Sequence, residues 1–461
     1  MYKQTKYDEL VKPYVNDLMR SIGEFVAIDS VNRDKDIDEV NPFGPGVTEA
    51  LNYIANLAKK DGFKVTNYDN MIVEILVGNG EKNITIMAHA DVVPEGLGWP
   101  HFPFEVREEN GVLTGRGVAD DKGPLLETYY ALKALRDNNL LGNYQVRFLV
   151  GGNEESGSRG MIHYFEDLKM PQPTLGFSPD AEYPLIYAEK GISNFEVKGR
   201  IDLKGIDMIH AGFAFNAVPE DCTIITSDKA KELVAYFEKN VKGVHVSPTM
   251  DGRMKIVVPG KSAHGSTPEE GINAGMIALT HLAKFFDNKD LQKLVDAYTD
   301  TYGRGLNAYN ISSEMDNQQN SFNVGIIEYK NNELKMVVNF RYVDTCDYDL
   351  TIKNIKESSK PFDVEVTSNA PLLFYKKSSD LVQILLKTYQ EETGDYESKP
   401  KAIGGGTYAK EAQNVVAFGA EFPGWDSKMH GVLEGSKKED IIKSMAIYAH
   451  AIYELGKKIE E

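Results

Sequence analysis

The sequence has few cysteines and no long uninterrupted apolar stretch. Among 461 residues only Cys222 and Cys346 are cysteines, too few for a disulfide framework, which favours a reducing compartment such as the cytoplasm. No segment reaches the roughly 18 uncharged apolar residues of a membrane-spanning helix, and residues 1–19 lack the pattern of a signal peptide. We therefore expect a cytoplasmic protein with no membrane partner.

Basic residues are outnumbered by acidic ones. Lys plus Arg total 51 against 69 Asp plus Glu, which gives a formal net charge of −18. Such a balance argues against a nucleic-acid partner, because phosphates bind to basic surfaces. Hydrophobic residues at 42% and charged residues at 26% are ordinary for globular proteins and exclude a disordered or fibrous chain. The length is sufficient for two or three domains.

Hydrophobic periodicity predicts an α/β fold interrupted by an insert. Residues 83–88 and 144–150 have strand patterns, and residues 122–138 between them carry one apolar helical stripe. In the middle of the chain, strands and helices are interleaved more loosely, as in α+β folds, and helical patterns return near the C-terminus. The predicted division is a first domain at 1–189, an insert at 190–373 and a return of the first domain at 374–461.

Imidazole and carboxylate side chains follow several of the predicted strands. His89 and Asp91 stand one residue apart at a strand end, so alternation places both on one side of the chain. Alone, this pair is more typical of a histidine hydrogen-bonded to a nearby aspartate. Asp120 and Asp121 follow a glycine-rich turn, where both could cap the next helix. Glu154 and Glu155 could likewise occupy a solvated loop.

Asp180 and His430 complete a larger set of possible metal ligands. In an open α/β sheet, loops that follow strands share one edge, where sites form. Imidazole and carboxylate ligands without thiolate suit zinc, manganese or cobalt. Five ligands are too many for one tetrahedral ion with an open position, but they serve two ions if one carboxylate bridges. The sequence therefore predicts a two-metal hydrolytic centre made by His89, Asp120, Glu155, Asp180 and His430.

Five motifs in order resemble those of the di-zinc exopeptidase family, which includes carboxypeptidase G, succinyl-diaminopimelate desuccinylase, aminoacylase and carnosinase. They are Met87-Ala-His-Ala-Asp91, Gly115-Arg-Gly-Val-Ala-Asp-Asp-Lys-Gly123, Gly152-Asn-Glu-Glu-Ser-Gly157, Ser178-Pro-Asp180 and Lys261-Ser-Ala-His-Gly265. The resemblance runs from about residue 24 to the C-terminus. It implies hydrolysis of small peptides by an enzyme with two divalent ions, zinc in the first place and manganese or cobalt as alternatives.

The resemblance also implies a role for each ligand. Asp120 would bridge the two ions, with His89 and Asp180 on one ion and Glu155 and His430 on the other. The peptide bond between Asp120 and the next residue would be cis.

Three further residues receive catalytic roles by resemblance. Asp91 would accept the far ring N–H of His89 and fix its tautomer. Glu154 would be the general base that takes a proton from water and delivers it to the leaving amine. His264, which lies in the insert, would donate to the oxyanion of the tetrahedral intermediate. The alternative for His264 is a solvent-exposed loop histidine.

A clamp for the substrate carboxylate is expected from Asn216 and Arg341. A guanidinium matches a carboxylate bidentately, and strand alternation places Arg341 on the polar face of its strand. A surface salt bridge is an equally good interpretation of Arg341 from pattern alone. Asn216 lies in an apolar run, where its amide needs a partner. Gly405, Gly406 and Thr407 could add main-chain donors, or the glycines could simply form a loop.

The length of the insert bears on assembly and on substrate. Smaller family members dimerise through a short insert, whereas bacterial dipeptidases of this family carry a longer α+β lid of two similar halves that mimics the dimer within one chain. We therefore expect a monomer that hydrolyses dipeptides with broad side-chain specificity. The alternative is an N-acyl-amino-acid amidohydrolase, which would use the same metals and base.

Overall fold

The computed structural model describes residues 2–226 and 230–461, apart from the side chains of Asp34 and Ala230. Met1 and residues 227–229, which fall within the predicted first domain and the predicted insert, lie outside the described residues. The chain forms two units. Unit 1 comprises the described part of Met1–Ala188 together with Leu373–Lys401 and Thr407–Glu461, and unit 2 comprises the described part of Glu189–Leu372 together with Ala402–Gly406.

Residues 402–406 group with unit 2, whereas the sequence-based division places them in the returning first domain. The reason is local hydrogen bonding. The main-chain N–H of Lys190 donates to the carbonyl oxygen of Ile403 at 3.0 Å, and a guanidinium nitrogen of Arg341 donates to the carbonyl oxygen of Gly404 at 2.6 Å. Both donors belong to unit 2.

Eleven α-helices are present among the described residues. They are α1 Lys6–Val11, α2 Val15–Val26, α3 Pro45–Lys60, α4 Lys122–Asp137, α5 Arg159–Ile162, α6 Ala230–Asn240, α7 Ala274–Phe285, α8 Lys289–Tyr298, α9 Tyr348–Ser359, α10 Asp380–Thr393 and α11 Lys438–Glu460. Helix α7 begins directly after Asn273. The side chain of Asn273 accepts from the N–H of Met276 and caps the helix there.

The described residues also form twenty-four short strands. They are β1 Lys64–Tyr68, β2 Ile72–Val77, β3 Asn83–His89, β4 Arg107–Glu109, β5 Val112–Thr114, β6 Gln145–Gly151, β7 Leu175–Ser178, β8 Ala181–Glu182, β9 Ile186–Glu189, β10 Gly191–Arg200, β11 Ile206–Ala211, β12 Asp221–Thr226, β13 His245–Pro248, β14 Met254–Pro259, β15 Ile311–Ser312, β16 Gln318–Gln319, β17 Ser321–Lys330, β18 Glu333–Tyr342, β19 Asp363–Ala370, β20 Leu373–Phe374, β21 Lys401–Ile403, β22 Val415–Ala417, β23 Ala420–Glu421 and β24 Gly435–Lys437.

Unit 1 is built on a mixed sheet with strand order β1-β2-β6-β3-β7-β22-β9-β20. Strand β3 runs parallel to both β6 and β7, and all seven of its residues are buried. Its apolar residues Ile84, Ile86, Met87 and Ala88 suit a strand that is covered on both faces. Helix α4 packs against α11 and is buried along most of its length. The mixed sheet with flanking helices predicted for the first domain is confirmed.

Unit 2 contains an eight-stranded antiparallel sheet with the order β13-β14-β12-β11-β17-β18-β10-β19. Strands β11 to β14 form one half of it, and β10 and β17 to β19 form the other. Helices α6 to α9 supply core residues such as Phe237, Leu279, Leu294 and Ile355, all of which are buried. This is the predicted α+β insert. None of the described helices combines the length and the apolar composition that crossing a bilayer requires.

Candidate metal centre and active site

Three parallel strands bring acidic loops to one edge of the sheet in unit 1. His89 is the last residue of β3 and pairs with Gly151 at the end of β6. Strand β7, on the other side of β3, ends at Ser178. The residues that follow these ends include Asp91, Glu154 and Asp180. Because parallel strands share the direction of their carboxyl ends, the side chains converge at this edge.

Two groups of possible ligands share Asp120. In the first group, Nε2 of His89 lies 3.0 Å from Oδ1 of Asp120 and 3.7 Å from Oδ2 of Asp180. In the second group, Nε2 of His430 lies 2.9 Å from Oδ2 of Asp120 and 3.3 Å from Oε2 of Glu155. Asp120 therefore presents one carboxylate oxygen to each group. The peptide bond from Asp120 to Asp121 is cis, as the family resemblance implies.

The carboxylates at this edge carry more negative charge than their protein partners neutralise. Burial, together with the neighbouring carboxylates, raises the pKa of Glu154, Glu155 and Asp180. Hydrogen bonds that the His430 ring donates to Asp120 and then to Glu155 raise the pKa of His430 to about 11. Burial would lower the pKa of His89, but Asp120 and Asp91 outweigh it and raise that pKa well above its ordinary value.

The cluster has the chemistry of a divalent-cation site. Oε1 of Glu155 is buried and has no hydrogen-bond partner, so one oxygen of a buried carboxylate is left for a cation. The donor atoms of each group lie within 4.8 Å of one another. Imidazole nitrogen and carboxylate oxygen are the ligands that zinc and manganese accept. The residues present therefore fit two divalent ions.

Asp91 contacts the cluster through both its main chain and its side chain. Nδ1 of His89 lies 2.9 Å from the carbonyl oxygen of Asp91 and 3.4 Å from its carboxylate. The closer acceptor is thus the carbonyl group of Asp91, whereas the spacing of the two residues in the sequence predicts its carboxylate. That carboxylate instead accepts the main-chain N–H groups of Glu154 at 3.1 Å and Glu155 at 3.2 Å. Asp91 consequently orients both His89 and the Glu154-Glu155 turn.

Asp121 has a role that differs from helix capping. Its side chain makes no capping hydrogen bond to α4. One carboxylate oxygen accepts the main-chain N–H of His89 at 3.0 Å, and burial raises the pKa of this carboxyl group to about 8. Asp121 therefore supports the strand end that carries the first ligand.

Arg341 lies on β18 in unit 2 and is 4% exposed. Its guanidinium donates to Oδ1 of Asn339 at 2.9 Å and to the carbonyl oxygen of Gly404 at 2.6 Å. Burial lowers the pKa of Arg341 to about 10. Among the described residues it makes no ion pair with a carboxylate. The surface salt bridge that the sequence left open is therefore wrong, and a buried guanidinium with neutral partners is suited to a bound anion.

Asn216 and His264 lie on adjacent segments of unit 2. The carbonyl oxygen of Asn216 accepts the N–H of Gly265 at 2.7 Å. The side chain of Asn216 is exposed rather than buried in an apolar run, because the run forms a turn between β11 and β12. His264 is also exposed, and its Nδ1 lies 2.6 Å from Oγ of Ser266.

The glycine-rich segment contacts the same region of unit 2. A Cβ atom added to Gly404 would lie 2.8 Å from Cβ of Ser266, so the close approach of this main chain requires glycine. Gly405 and Gly406 belong to unit 2, whereas Thr407 belongs to unit 1. The hydroxyl of Thr407 accepts the N–H of Ala409 at 3.1 Å and caps a short turn.

Comparison with known proteins decides the family. The model of the peptidase family M20/M25/M40 matches residues 85–454. The chain belongs to this peptidase family. A Staphylococcus haemolyticus protein, provisionally named a dipeptidase, is 31% identical over 97% of this chain and 99% of its own length. A Staphylococcus aureus protein with the same provisional assignment is 32% identical over 97% of this chain and 99% of its own length.

Solved structures agree on the fold. Human carnosine dipeptidase 1 has a TM-score of 0.55 and 14% identity, with 98% of this chain and 99% of that chain covered. The dipeptidase Dug1p of Saccharomyces cerevisiae has a TM-score of 0.59 and 13% identity, with 98% of each chain covered. The family resemblance inferred from the five motifs is confirmed, and the M20/M25/M40 membership makes the protein a peptide-bond hydrolase.

Two residues of this M20/M25/M40 chain that no sequence pattern indicates lie beside the metal centre. Arg116 and Glu434 are both buried and form an ion pair. Arg116 stands between two glycines in the motif that contains Asp120, and Glu434 follows His430 by four residues. The sequence does show one further charged residue in each of these two ligand-bearing segments. That Arg116 pairs with Glu434, however, is visible only in three dimensions.

Proposed function

We propose that this chain is a metal-dependent dipeptidase of broad side-chain specificity that uses two divalent ions and a glutamate base. The observation that carries the proposal is the pair of ligand groups sharing Asp120, with the partly buried Glu154 beside them. Membership in a peptidase family and relatives named as dipeptidases support it.

The metal centre is assigned to five side chains. His89 and Asp180 would hold one ion, Glu155 and His430 the other, and Asp120 both. Two divalent ions, most simply zinc with manganese or cobalt as alternatives, would supply the positive charge that lowers the pKa of water and polarises the peptide carbonyl. The shared carboxylate and the excess of acidic ligands favour this assignment over a single ion.

Glu154 is assigned as the general base. Its main-chain N–H is held by the Asp91 carboxylate, and burial raises the pKa of its own carboxyl group. A carboxylate whose pKa is raised accepts a proton more readily, so Glu154 can take the proton of the attacking water. It then carries that proton to the amine that leaves.

Unit 2 is proposed to supply the residues that recognise the rest of the substrate. His264 would donate a hydrogen bond to the oxyanion. Arg341 and Asn216, with main-chain donors from Gly405, Gly406 and Thr407, would bind the free carboxylate of the substrate. The buried guanidinium of Arg341, which has neutral partners in unit 2, is the strongest support for this clamp. A clamp one residue from the scissile bond would restrict substrates to dipeptides.

Assembly and location complete the proposal. The long insert favours a monomer. The molar mass from light scattering tests this, and an obligate dimer would contradict it. Cys222 and Cys346 are free thiols, which favours the cytoplasm.

A panel of substrates tests the function. Metal-loaded protein is expected to hydrolyse unmodified dipeptides at least about 100-fold faster than matching tripeptides, because a longer chain would place its carboxylate beyond the clamp. Initial rates of amino-acid release are the measurement. Equal rates on tripeptides would refute the clamp, whereas faster cleavage of N-acyl amino acids would favour the amidohydrolase alternative.

Arg341→Met is expected to raise KM for dipeptides by about 10- to 100-fold, since it removes charge-assisted hydrogen bonds to the substrate carboxylate. A smaller change is expected in kcat. Arg253→Met removes a half-exposed arginine of unit 2 that pairs with Asp207 and Asp251, so it serves as a control that leaves KM unchanged. A KM for Arg341→Met within about twofold of wild type would contradict the clamp.

A further inference from the structure

We propose that the buried Arg116–Glu434 ion pair is a positioning device that holds both ligand-bearing segments of the metal centre in register. The inference rests on the proposed metal centre. It assigns a function to two residues that are not themselves ligands, and it predicts that changing them weakens metal binding at both groups.

Glu434 organises the turn that ends in Asp120. Oε1 of Glu434 accepts the main-chain N–H groups of Gly117 at 2.9 Å, Ala119 at 3.1 Å and Asp120 at 3.2 Å. Three donors from one turn therefore converge on a single carboxylate oxygen. Because the last of them belongs to the shared ligand, the main chain of Asp120 is fixed by a side chain from the segment that carries His430.

Arg116 holds that second segment in return. One guanidinium nitrogen pairs with Oε2 of Glu434. The other lies 3.3 Å from the carbonyl oxygen of His430 and 3.2 Å from that of Gly431. The same nitrogen lies 3.3 Å and 3.4 Å from the carbonyl oxygens of Pro94 and Glu95, just beyond β3. The guanidinium thus connects the His430 segment with the loop that follows His89 and Asp91.

The main chain of His430 needs such support. His430 has a φ of 62°, a left-handed conformation that residues other than glycine adopt only when their surroundings hold it. The ring of His430 is exposed, so packing around the side chain does little to fix it. Its carbonyl group, held by Arg116, is one of the restraints that orient Nε2 towards Asp120.

Strand pairing connects the Asp120 and His430 segments only at the ends that lie farther from the ligands. Gly435 to Lys437 pair with Val112 to Thr114, and the N–H of Gly115 donates to the carbonyl oxygen of Glu434. These bonds end where the two ligand-bearing turns begin. The side chains of Arg116 and Glu434 continue the connection from there up to Asp120 and His430.

A second buried ion pair in unit 1 serves as a control that distinguishes an effect on ligand position from a general loss of protein stability. Lys443 and Glu392 are 2.9 Å apart, with side chains 3% and 1% exposed, comparable to Arg116 and Glu434 at 1% each. Glu392 also contacts Thr5 and His450, neither of which belongs to the metal centre. Glu392→Gln is therefore a control for the loss of a buried charge.

The experiment titrates metal-free wild type, Glu434→Gln, Glu434→Ala and Glu392→Gln with Co²⁺ and follows the visible absorbance of the bound ion. Wild type is expected to take up two equivalents. Glu434→Ala is expected to weaken uptake by about 10- to 100-fold, the usual cost of losing a partner that orients a metal ligand. Glu434→Gln retains an oxygen for the main-chain N–H groups but loses the negative charge that pairs with Arg116, so an intermediate weakening of metal binding is expected. Glu392→Gln is expected to match wild type in affinity and in absorbance spectrum.

The outcomes separate this inference from the proposed function. Uptake of two equivalents by wild type and by both Glu434 variants with the same affinity would overturn the positioning role while leaving the metal centre standing. Equal weakening in Glu434→Gln and Glu392→Gln would overturn it as well, because the effect would then reflect a loss of stability alone. Wild type that binds no Co²⁺ would refute the proposed metal centre itself.

Discussion

Glu154→Gln is expected to lower kcat for a dipeptide by about 10²- to 10⁴-fold, the usual contribution of a general base. Glutamine is close to glutamate in size but cannot take up the proton of the attacking water. The main-chain N–H of residue 154 would still donate to Asp91, so the turn that carries Glu155 should be preserved. The variant is therefore expected to bind metal as wild type does.

The neighbouring residue provides the contrast. Glu155→Gln removes a proposed ligand whose Oε2 lies 3.3 Å from Nε2 of His430, so it is expected to lose metal as well as activity. Metal content and kcat, measured together on both variants, distinguish a base from a ligand. Activity of Glu154→Gln within a few-fold of wild type would contradict its assignment as the base.

Asp120→Asn is expected to abolish binding at both ligand groups. Each oxygen of Asp120 serves one group, at 3.0 Å from His89 and 2.9 Å from His430. An amide offers one acceptor oxygen and carries no charge, so it cannot serve both groups as a carboxylate does. Activity is expected to fall by more than about 100-fold. Changing a residue that only orients a metal ligand already costs up to about 100-fold, and Asp120 is itself a proposed ligand.

A variant that affects only one of the two ligand groups serves as the control for Asp120→Asn. Asp180→Asn affects only the group that contains His89, so it is expected to retain about one ion where Asp120→Asn retains neither. Metal analysis after dialysis, with circular dichroism to verify folding, provides the measurement. Retention of two ions by folded Asp120→Asn would show that the carboxylate is not shared.

The features that the sequence could predict are local in the chain. The strand ends at His89 and after residue 150, and the acidic residues that follow them, could be recognised from apolar runs that stop at polar loops. The shared edge then followed from the parallel α/β arrangement. The five motifs added the family, and with it the cis peptide bond after Asp120.

The features that the sequence could not predict depend on distant contacts. Arg116 and Glu434 are separated by 318 residues, and no periodicity links them. Residues 402–406 follow the hydrogen bonds of Lys190 and Arg341 rather than their position in the chain. The alternation of β18 placed Arg341 on the polar face of its strand, but it could not indicate that this side chain is 4% exposed.

The most direct test of the two-metal account is a zinc titration of chelator-treated, metal-free wild-type protein during hydrolysis of a dipeptide. We expect no turnover without metal and a rate that rises until two equivalents per chain are bound. Full activity in the metal-free protein would contradict the account, and saturation at one equivalent would contradict the two-ion centre that shares Asp120.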